Sequence, residues 1–452
     1  MTRSKAAAQH DDRLTFLDQA SFLGLRATGL EQLAQFVWVY DRAVDLDGLR
    51  RFHHNLGHGL FGRLIERSPL PFGRHRWVAA QDKVDIDVAE RSRPRADLSD
   101  WADERAQLPI DPEWGPGWRL AVQPFSDGST AVSLVASHCL VDGLAGGLAI
   151  ADAANGVTRD LGYRPPRSRT LLRALASDGR QTLRDIPAQI RAIFAIGRLA
   201  RAGQRDLARL GGSRPITIRA EAAPDGPVVI PSITIQLDAD EWDGRATALG
   251  GTSNALLNAI AAKAGERLGR RADGGAVSLR FVVSDRTQDD TRANAVSFVT
   301  IDVDPAPVTS DLSEVRGAIK HALSRLGNEP DESLAVLPLT PLTPEWAIRR
   351  MADALFNDFS VGCSNLRDVD PATGRPDGTD AIWFCARGVT QHITRSVLER
   401  IRGQVTLASG RFGGKVFITV VAYDIEGSNS KPDLRELMTD TLDEFALAGA
   451  ID

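Results

Sequence analysis

A single imidazole placed where a strand stops is the first candidate for chemistry in this chain. Residues 131–136 read as a strand that ends in Ser137-His138, and Asp142-Gly143 then opens a run of small residues that reads as a helix start. The pattern is H-x-x-x-D-G. An imidazole with an ordinary pKa of about 6.5 can accept a proton from a hydroxyl near neutral pH and return it later. Asp142 tolerates turn dihedrals and can hold an arginine or a backbone N–H, while Gly143 permits a positive φ and close approach of backbone to a ligand. Taken alone the spacing is common, and a lone histidine after a strand is more often structural.

The elements that must position His138 surround it. Residues 118–125 alternate as a strand, Ser126-Asp127-Gly128-Ser129 is a hairpin turn, and 131–136 return. Residues 148–154 are helical in composition, with Gly146 and Gly147 thinning the first turn. In this setting residues 116–147 resemble the core of the acyl-CoA-dependent acyltransferase superfamily. That group includes chloramphenicol acetyltransferase, peptide-synthetase condensation domains and the bacterial wax ester synthase/diacylglycerol acyltransferases. The resemblance implies that His138 is the catalytic base. Condensation domains and wax ester synthases usually carry two consecutive histidines, of which the second is the base; here the first position is Ser137. Residues 13–24 are similar to the opening of the wax ester synthases, a Leu-Ser-x-x-Asp-x-x-Phe pattern, and favour that branch. On physical grounds alone they read as an N-terminal segment packing on the core.

The resemblance carries further expectations. It implies an α/β (α+β) fold of two chloramphenicol-acetyltransferase-like lobes, each a mixed sheet with flanking helices, with a channel between them. It implies that Arg286, after a strand at 277–283, pairs with Asp142 and fixes the turn; a solvated loop arginine is the plain alternative. Residues 358–366 resemble the superfamily's Ser-Asn-Leu/Val strand end, so Ser364 and Asn365 are implied as donors that position substrate or steady an oxyanion. A polar pair that caps its own backbone is the other reading. Residues 294–298 resemble a strand entry beside the channel. Wax ester synthases carry Asn-Asp at the start of the helix capped by residues 252–254, where this chain has Asn254-Ala255. In the family the residue at Cys139 points away from the channel.

Composition bounds the rest. The length, 452 residues, suits two to three domains with an ample core. Fifty-four Lys and Arg against 59 Asp and Glu give a net charge of -5, which argues against nucleic acid as a partner. Cys139, Cys363 and Cys385 are too few and too scattered for a disulfide framework or a zinc site, and suggest a reducing compartment. Residues 1–13 lack the apolar stretch of a signal peptide, and no apolar run approaches the ~20 residues that span a bilayer. The expectation is a cytoplasmic protein, attached at most to a membrane surface.

Along the chain, 36–40 read as a buried strand, and Asp45 or Asp47 caps a helix through Leu49 and Phe52. His53, His54 and His58 imitate both a doubled-histidine motif and a metal site. With no carboxylate or Cys nearby to complete a shell they read as a helix end and polar surface, and no metal is expected. Residues 160–215 mark the boundary between halves. Ten arginines from Arg167 to Arg209 recur among apolar residues, of which 190, 193, 194, 196 and 199 sit near helical spacing. They read as a pair of basic amphipathic helices, a crossover linker packing one face on both domains with arginine in water; the alternative is a surface for anionic lipid or acyl-CoA phosphates. The boundaries follow as a first lobe over 1–165, a linker over 166–214 and a second lobe over 215–452. That lobe is expected to hold strands at 216–220, 233–237, 404–409 and 415–422, a helix at 255–268 and a closing helix at 434–447.

The functional expectation is O-acyl transfer from acyl-CoA, as co-substrate and with no bound cofactor, to an alcohol or glycerolipid hydroxyl. His138 would act as base without an acyl-enzyme. The alternatives are a condensation-type or polyketide-associated transferase fed by a carrier protein, and a non-catalytic binding member of the fold.

Overall fold

The hairpin expected around residues 118–136 forms, and its second strand lies in the middle of a sheet. The computed structural model describes residues 11–81, 84–210, 225–272, 274–287, 290–328, 332–356 and 359–452. In chain order these begin with α1 (Phe16–Thr28), β1 (Glu31–Tyr40), α2 (Leu46–Leu56), β2 (Arg63–Glu66), β3 (Arg76–Ala79), β4 (Asp87–Val88), α3 (Leu98–Ala106), β5 (Trp118–Pro124), β6 (Thr130–Ser137), α4 (Gly143–Ala154) and α5 (Leu171–Leu210). They continue with β7 (Ser232–Asp238), α6 (Ala239–Ala248), α7 (Ser253–Arg267), β8 (Val277–Ser284), β9 (Val296–Val303), α8 (Ser313–Asn328), α9 (Glu332–Ala335) and α10 (Glu345–Phe356). They close with β10 (Val361–Asp368), β11 (Trp383–Gln391), α11 (Arg395–Arg400), β12 (Gln404–Phe412), β13 (Lys415–Tyr423), α12 (Lys431–Glu444) and β14 (Ala450–Ile451). The strand expected at 216–220 lies outside the described residues.

Two mixed sheets result. The first has the order β11-β1-β6-β5-β4, and the second β14-β7-β13-β12-β10-β8-β9. In the first only β4 and β5 run parallel; in the second β10 runs parallel to both β8 and β12. Each sheet has its own core. Trp38, Phe36 and Phe52 anchor one, and α7, buried continuously from Ala255 to Ala262, is the spine of the other. Side-chain oxygens of Asp45, Asp142 and Thr252 accept the free N–H groups at the starts of α2, α4 and α7, as short polar residues at helix starts should.

A boundary at 215 does not separate the sheets. β11 leaves the second half and pairs with β1 over nine register positions, Glu31 opposite Gln391 through Val39 opposite Trp383. Its Phe384 ring meets Phe412 and Phe417 of the second half at 5.4 and 5.5 Å and Trp38 of the first at 5.7 Å. The two halves are therefore fastened through one aromatic cluster.

The linker also differs from expectation. It is one helix, α5, with Pro187 inside it, and not a pair. Pro187 is on an exposed position, where water can serve the carbonyl that loses its N–H partner. The apolar positions 190, 193, 194 and 196 do not pack inward. Facing the body are Asp178, Gln181, Asp185, Gln189 and Ala192, held by ion pairs of Asp178 with Arg76 and Arg169 and of Asp185 with Arg74. Among the described residues no helix is long and apolar enough to cross a membrane.

Candidate active site

His138 is the first residue past β6, half-buried, and both of its backbone polar groups are fixed. Its N–H donates to the Gln32 carbonyl at 2.8 Å, and its carbonyl accepts from Asn294 Nδ2 at 3.2 Å. The first bond comes from the neighbouring strand and the second from the other half of the chain. The imidazole is thus carried by a backbone pinned on both sides.

Asp142 is the hub of the turn. It caps α4 through Ala145 N–H to Oδ1 at 2.7 Å, while Oδ2 accepts from Ala295 N–H at 3.0 Å and from Arg286 Nη2 at 2.7 Å. Its own N–H donates to the Ala293 carbonyl at 2.9 Å. Arg286, just past β8, also donates to the carbonyls of Asp290, Arg292 and Ala293. The two charged side chains are 5% and 3% exposed. With three bonds accepted, one of them from a guanidinium, the Asp142 carboxylate is engaged in holding the turn. Gly143 follows, and a Cβ there would lie 2.9 Å from a Leu366 methyl group, which would have to turn aside.

Two buried residues behind the turn were not singled out by sequence reasoning. Asp18 of α1 is fully buried and accepts from the N–H groups of Asn294 at 2.8 Å and Ala293 at 3.3 Å, and from Asn294 Nδ2 at 3.4 Å. It braces from the rear the side chain that holds the His138 carbonyl. Arg63 at the start of β2 is fully buried, and among the described residues no carboxylate pairs with it. It donates to the Leu140 carbonyl at 2.8 Å, the Thr291 carbonyl at 2.6 Å and Tyr163 Oη at 3.0 Å, and stacks on Trp77 at 3.8 Å. A signal for Asp18 existed in the resemblance of residues 13–24 to a family opening. None existed for Arg63, one of many arginines.

The departure at Ser137 is locally resolved. The Ser137 hydroxyl donates to Glu31 Oε1 at 2.7 Å and accepts from the Cys139 N–H at 3.1 Å. Burial pushes the Glu31 carboxyl up to about 8, so at neutral pH it is a protonated acid and no buried charge remains there. Cys139 is buried, and that burial pushes its thiol well above the ordinary range, which disarms it as a nucleophile.

Across the molecule, β10 separates Ser364 from Asn365. Neighbouring strand residues point to opposite faces. Ser364 shares the face of Leu366, the residue that reaches Gly143. Asn365 points the other way, where its Nδ2 donates to Asn254 Oδ1 at 3.3 Å. The two side chains are therefore not one donor pair. The strand is bulged between Asn365 and Asp368, with Arg367 at φ 59°, a device that re-aims side chains beside a site. Asn365 and Asn254 line a cavity of about 380 Å³ with Leu257, Phe281, Leu323 and Ser409. His138 is not among its lining residues. The cavity opens between α7 and the second sheet, so the helix start at Asn254 serves it directly.

The His53, His54 and His58 group lies at the end of α2. His53 stacks near Trp118, and the His54 and His58 rings meet edge to face at 5.1 Å. Among the described residues no set of three or more His, Cys, Asp or Glu side chains is disposed to hold a metal ion.

Compared by sequence, the chain matches no protein-family model and no curated protein. Compared by structure it is similar to the first condensation domain of the CDA synthetase, with a TM-score of 0.57 and 12% identity over 99% of this chain and 100% of that one. It is similar to polyketide synthase associated protein 5 from Mycobacterium tuberculosis, at 0.53 and 15% over 95% and 97%. It is similar again to the wax ester synthase/diacylglycerol acyltransferase from Marinobacter aquaeolei VT8, at 0.53 and 15% over 96% and 98%. Across nearly its full length, then, the chain has the two-lobed condensation-domain fold, the chloramphenicol acetyltransferase-like architecture implied by the residues around His138.

Proposed function

We propose that the chain is an acyltransferase that moves an acyl group from a thioester, acyl-CoA in the first instance, to the hydroxyl of an alcohol or glycerolipid. The observation that carries the reading is the clamp on the H-x-x-x-D-G turn. Asp142 and the His138 carbonyl belong to the first half of the chain, and both are held by residues of the second, Asp142 by Arg286 and Ala295 and the carbonyl by Asn294. The backbone that carries the imidazole is thereby held where the halves meet, where a base between two substrates must sit.

The steps balance without a covalent enzyme intermediate. A ring nitrogen of His138 takes the acceptor's hydroxyl proton as the oxygen bonds to the thioester carbonyl carbon. The tetrahedral oxyanion collapses with cleavage of the C–S bond, and the imidazolium returns the proton to the departing sulfur. Ser364, on the Leu366 face of β10, is the donor we assign to the oxyanion, a contribution of about 3 kcal/mol where such donors have been removed. Asn365 is assigned instead to substrate positioning in the cavity that it lines with Asn254. The lining is mixed, with Leu257, Phe281 and Leu323 to take an apolar portion of a substrate and Arg367 and Arg411 to take a polar or anionic one.

The donor is settled by one experiment. Purified protein is given acyl-CoAs from short to long, or the same acyl groups loaded on carrier proteins, with long-chain alcohol and diacylglycerol acceptors, and ester is read by mass spectrometry. Ester from the CoA series supports the reading as stated, and ester from the carrier series alone moves it to a condensation-type or polyketide-associated enzyme. No ester from either, with folded protein, refutes catalysis and leaves a binding member of the fold.

A further inference from the structure

Helix α5 is turned inside out relative to an ordinary surface helix. Its inward face carries Asp178, 1% exposed and bonded to Ser68, Arg76 and Arg169, together with Gln181, Asp185 and Gln189. Its outward face carries Leu172, Leu183, Ile186, Ile190, Ile193 and Phe194, from 39% to 79% exposed. Of the twenty large hydrophobic side chains exposed among the described residues, eight lie on this helix between 171 and 196, so the patch is concentrated and not the scatter normal for a surface. Burying those side chains against something outside the chain removes a cost that no neighbour among the described residues relieves.

Charge identifies the occupant. Arg173, Arg180, Arg184 and Arg191 are exposed at spacings of seven, four and seven, and so form one line along the helix beside the apolar stripe. The two acids of residues 171–197, Asp178 and Asp185, are both turned inward, and among the described residues none of the four arginines is paired with a carboxylate. An apolar stripe edged by unpaired arginine is the pattern of a helix lying in the headgroup layer of an anionic membrane. A second copy of the chain fits less well, because a two-fold contact through this stripe would set arginine against arginine with no acid between. The net charge of -5 does not prevent contact, since the negative groups lie elsewhere and screening reduces charge effects beyond about 10 Å.

We infer that the outward face of α5, over residues 171–197, docks the protein on anionic lipid bilayers, with the helix axis in the plane of the surface. The inference stands apart from acyl transfer, and its test requires no turnover. Full-length protein is sedimented with vesicles of phosphatidylcholine alone and of phosphatidylcholine mixed equally with phosphatidylglycerol, at low and high salt. The expected result is binding to the mixed vesicles that weakens with salt and is about fivefold weaker for each arginine removed in Arg180→Ala and Arg184→Ala. Ile190→Glu with Phe194→Glu should reduce it to the level of neutral vesicles. These positions are exposed, so circular dichroism of the variants should match the parent. Equal binding to both vesicle types, or no binding to either, would overturn the inference. So would a concentration-dependent dimer in analytical ultracentrifugation that the Glu variants dissolve, since that assigns the face to a second copy.

Discussion

Replacing Arg286 by Met removes the guanidinium and keeps most of the volume, and its cost can be worked from the contacts. The Asp142 carboxylate retains the N–H groups of Ala145 and Ala295 but loses the one cation that pairs with it among the described residues, at 5% exposure. A hydrogen bond to a charged group contributes ~1.5–3 kcal/mol, and the carbonyls of Asp290, Arg292 and Ala293 lose a donor each at up to ~1 kcal/mol where water does not replace it. The sum, about 1.5–6 kcal/mol, brackets the ~3–5 kcal/mol that breaking a buried pair from one side costs. Urea unfolding followed by tryptophan fluorescence measures it. Asp142→Asn keeps the cap oxygen and leaves the arginine unpaired, and the double variant should recover at least ~1 kcal/mol of the summed losses. An Arg286→Met cost below about 1 kcal/mol, or strict additivity in the double variant, would mean that the pair does not hold the turn.

Three other outcomes follow from the same contacts. Glu31, with its folded carboxyl near 8 against about 4.3 unfolded, binds a proton in the native state that the unfolded chain has lost. Its contribution is complete below about 4.3 and declines as pH rises to 8, by on the order of 5 kcal/mol, so Glu31→Gln should gain on wild type in urea titrations run from pH 5 to pH 8.5. His75 is buried against Phe22 with Nδ1 accepting the Ser68 N–H, and burial, reinforced by Arg67, lowers it to about 4. It is neutral when folded, so its contribution is present above about 6.5 and is lost as pH falls to 4, by about 3 kcal/mol, a decline that His75→Gln should remove. Because β10 turns Ser364 and Asn365 to opposite faces, Ser364→Ala should lower kcat by about 10²-fold with KM little changed. Asn365→Ala should raise KM instead, and equal effects of the two on kcat would count against the assignment.

What could be read from sequence was local. The hairpin, the turn after it and the start of α4 announce themselves by alternation, Asp-Gly turn chemistry and small residues, all within thirty positions of His138. The bracing is long-range. Asp18 meets Asn294 from 276 positions away and Arg63 meets Thr291 from 228, and no periodicity marks either partner. Arg286 could be named beforehand only through the family resemblance. No strand is expected from sequence at residues 383–391, and the transfer of β11 into the first sheet, with the failure of a boundary at 215, required the register itself. The inversion of α5 was hidden for a similar reason. Helical spacing identifies an apolar stripe but not the side that faces the body, and here buried ion pairs of Asp178 and Asp185 decide it.

The central claim is that His138, fixed where the two halves meet, transfers the proton in acyl exchange. Acceptor-dependent thiol release, measured side by side for wild type and His138→Ala with the best acyl thioester found, tests it most directly. The expected result is release in the wild type that falls ~10²–10⁴-fold in the variant, with the thermal unfolding curve unchanged. Release that survives in His138→Ala at a comparable rate would contradict the account and place the base elsewhere.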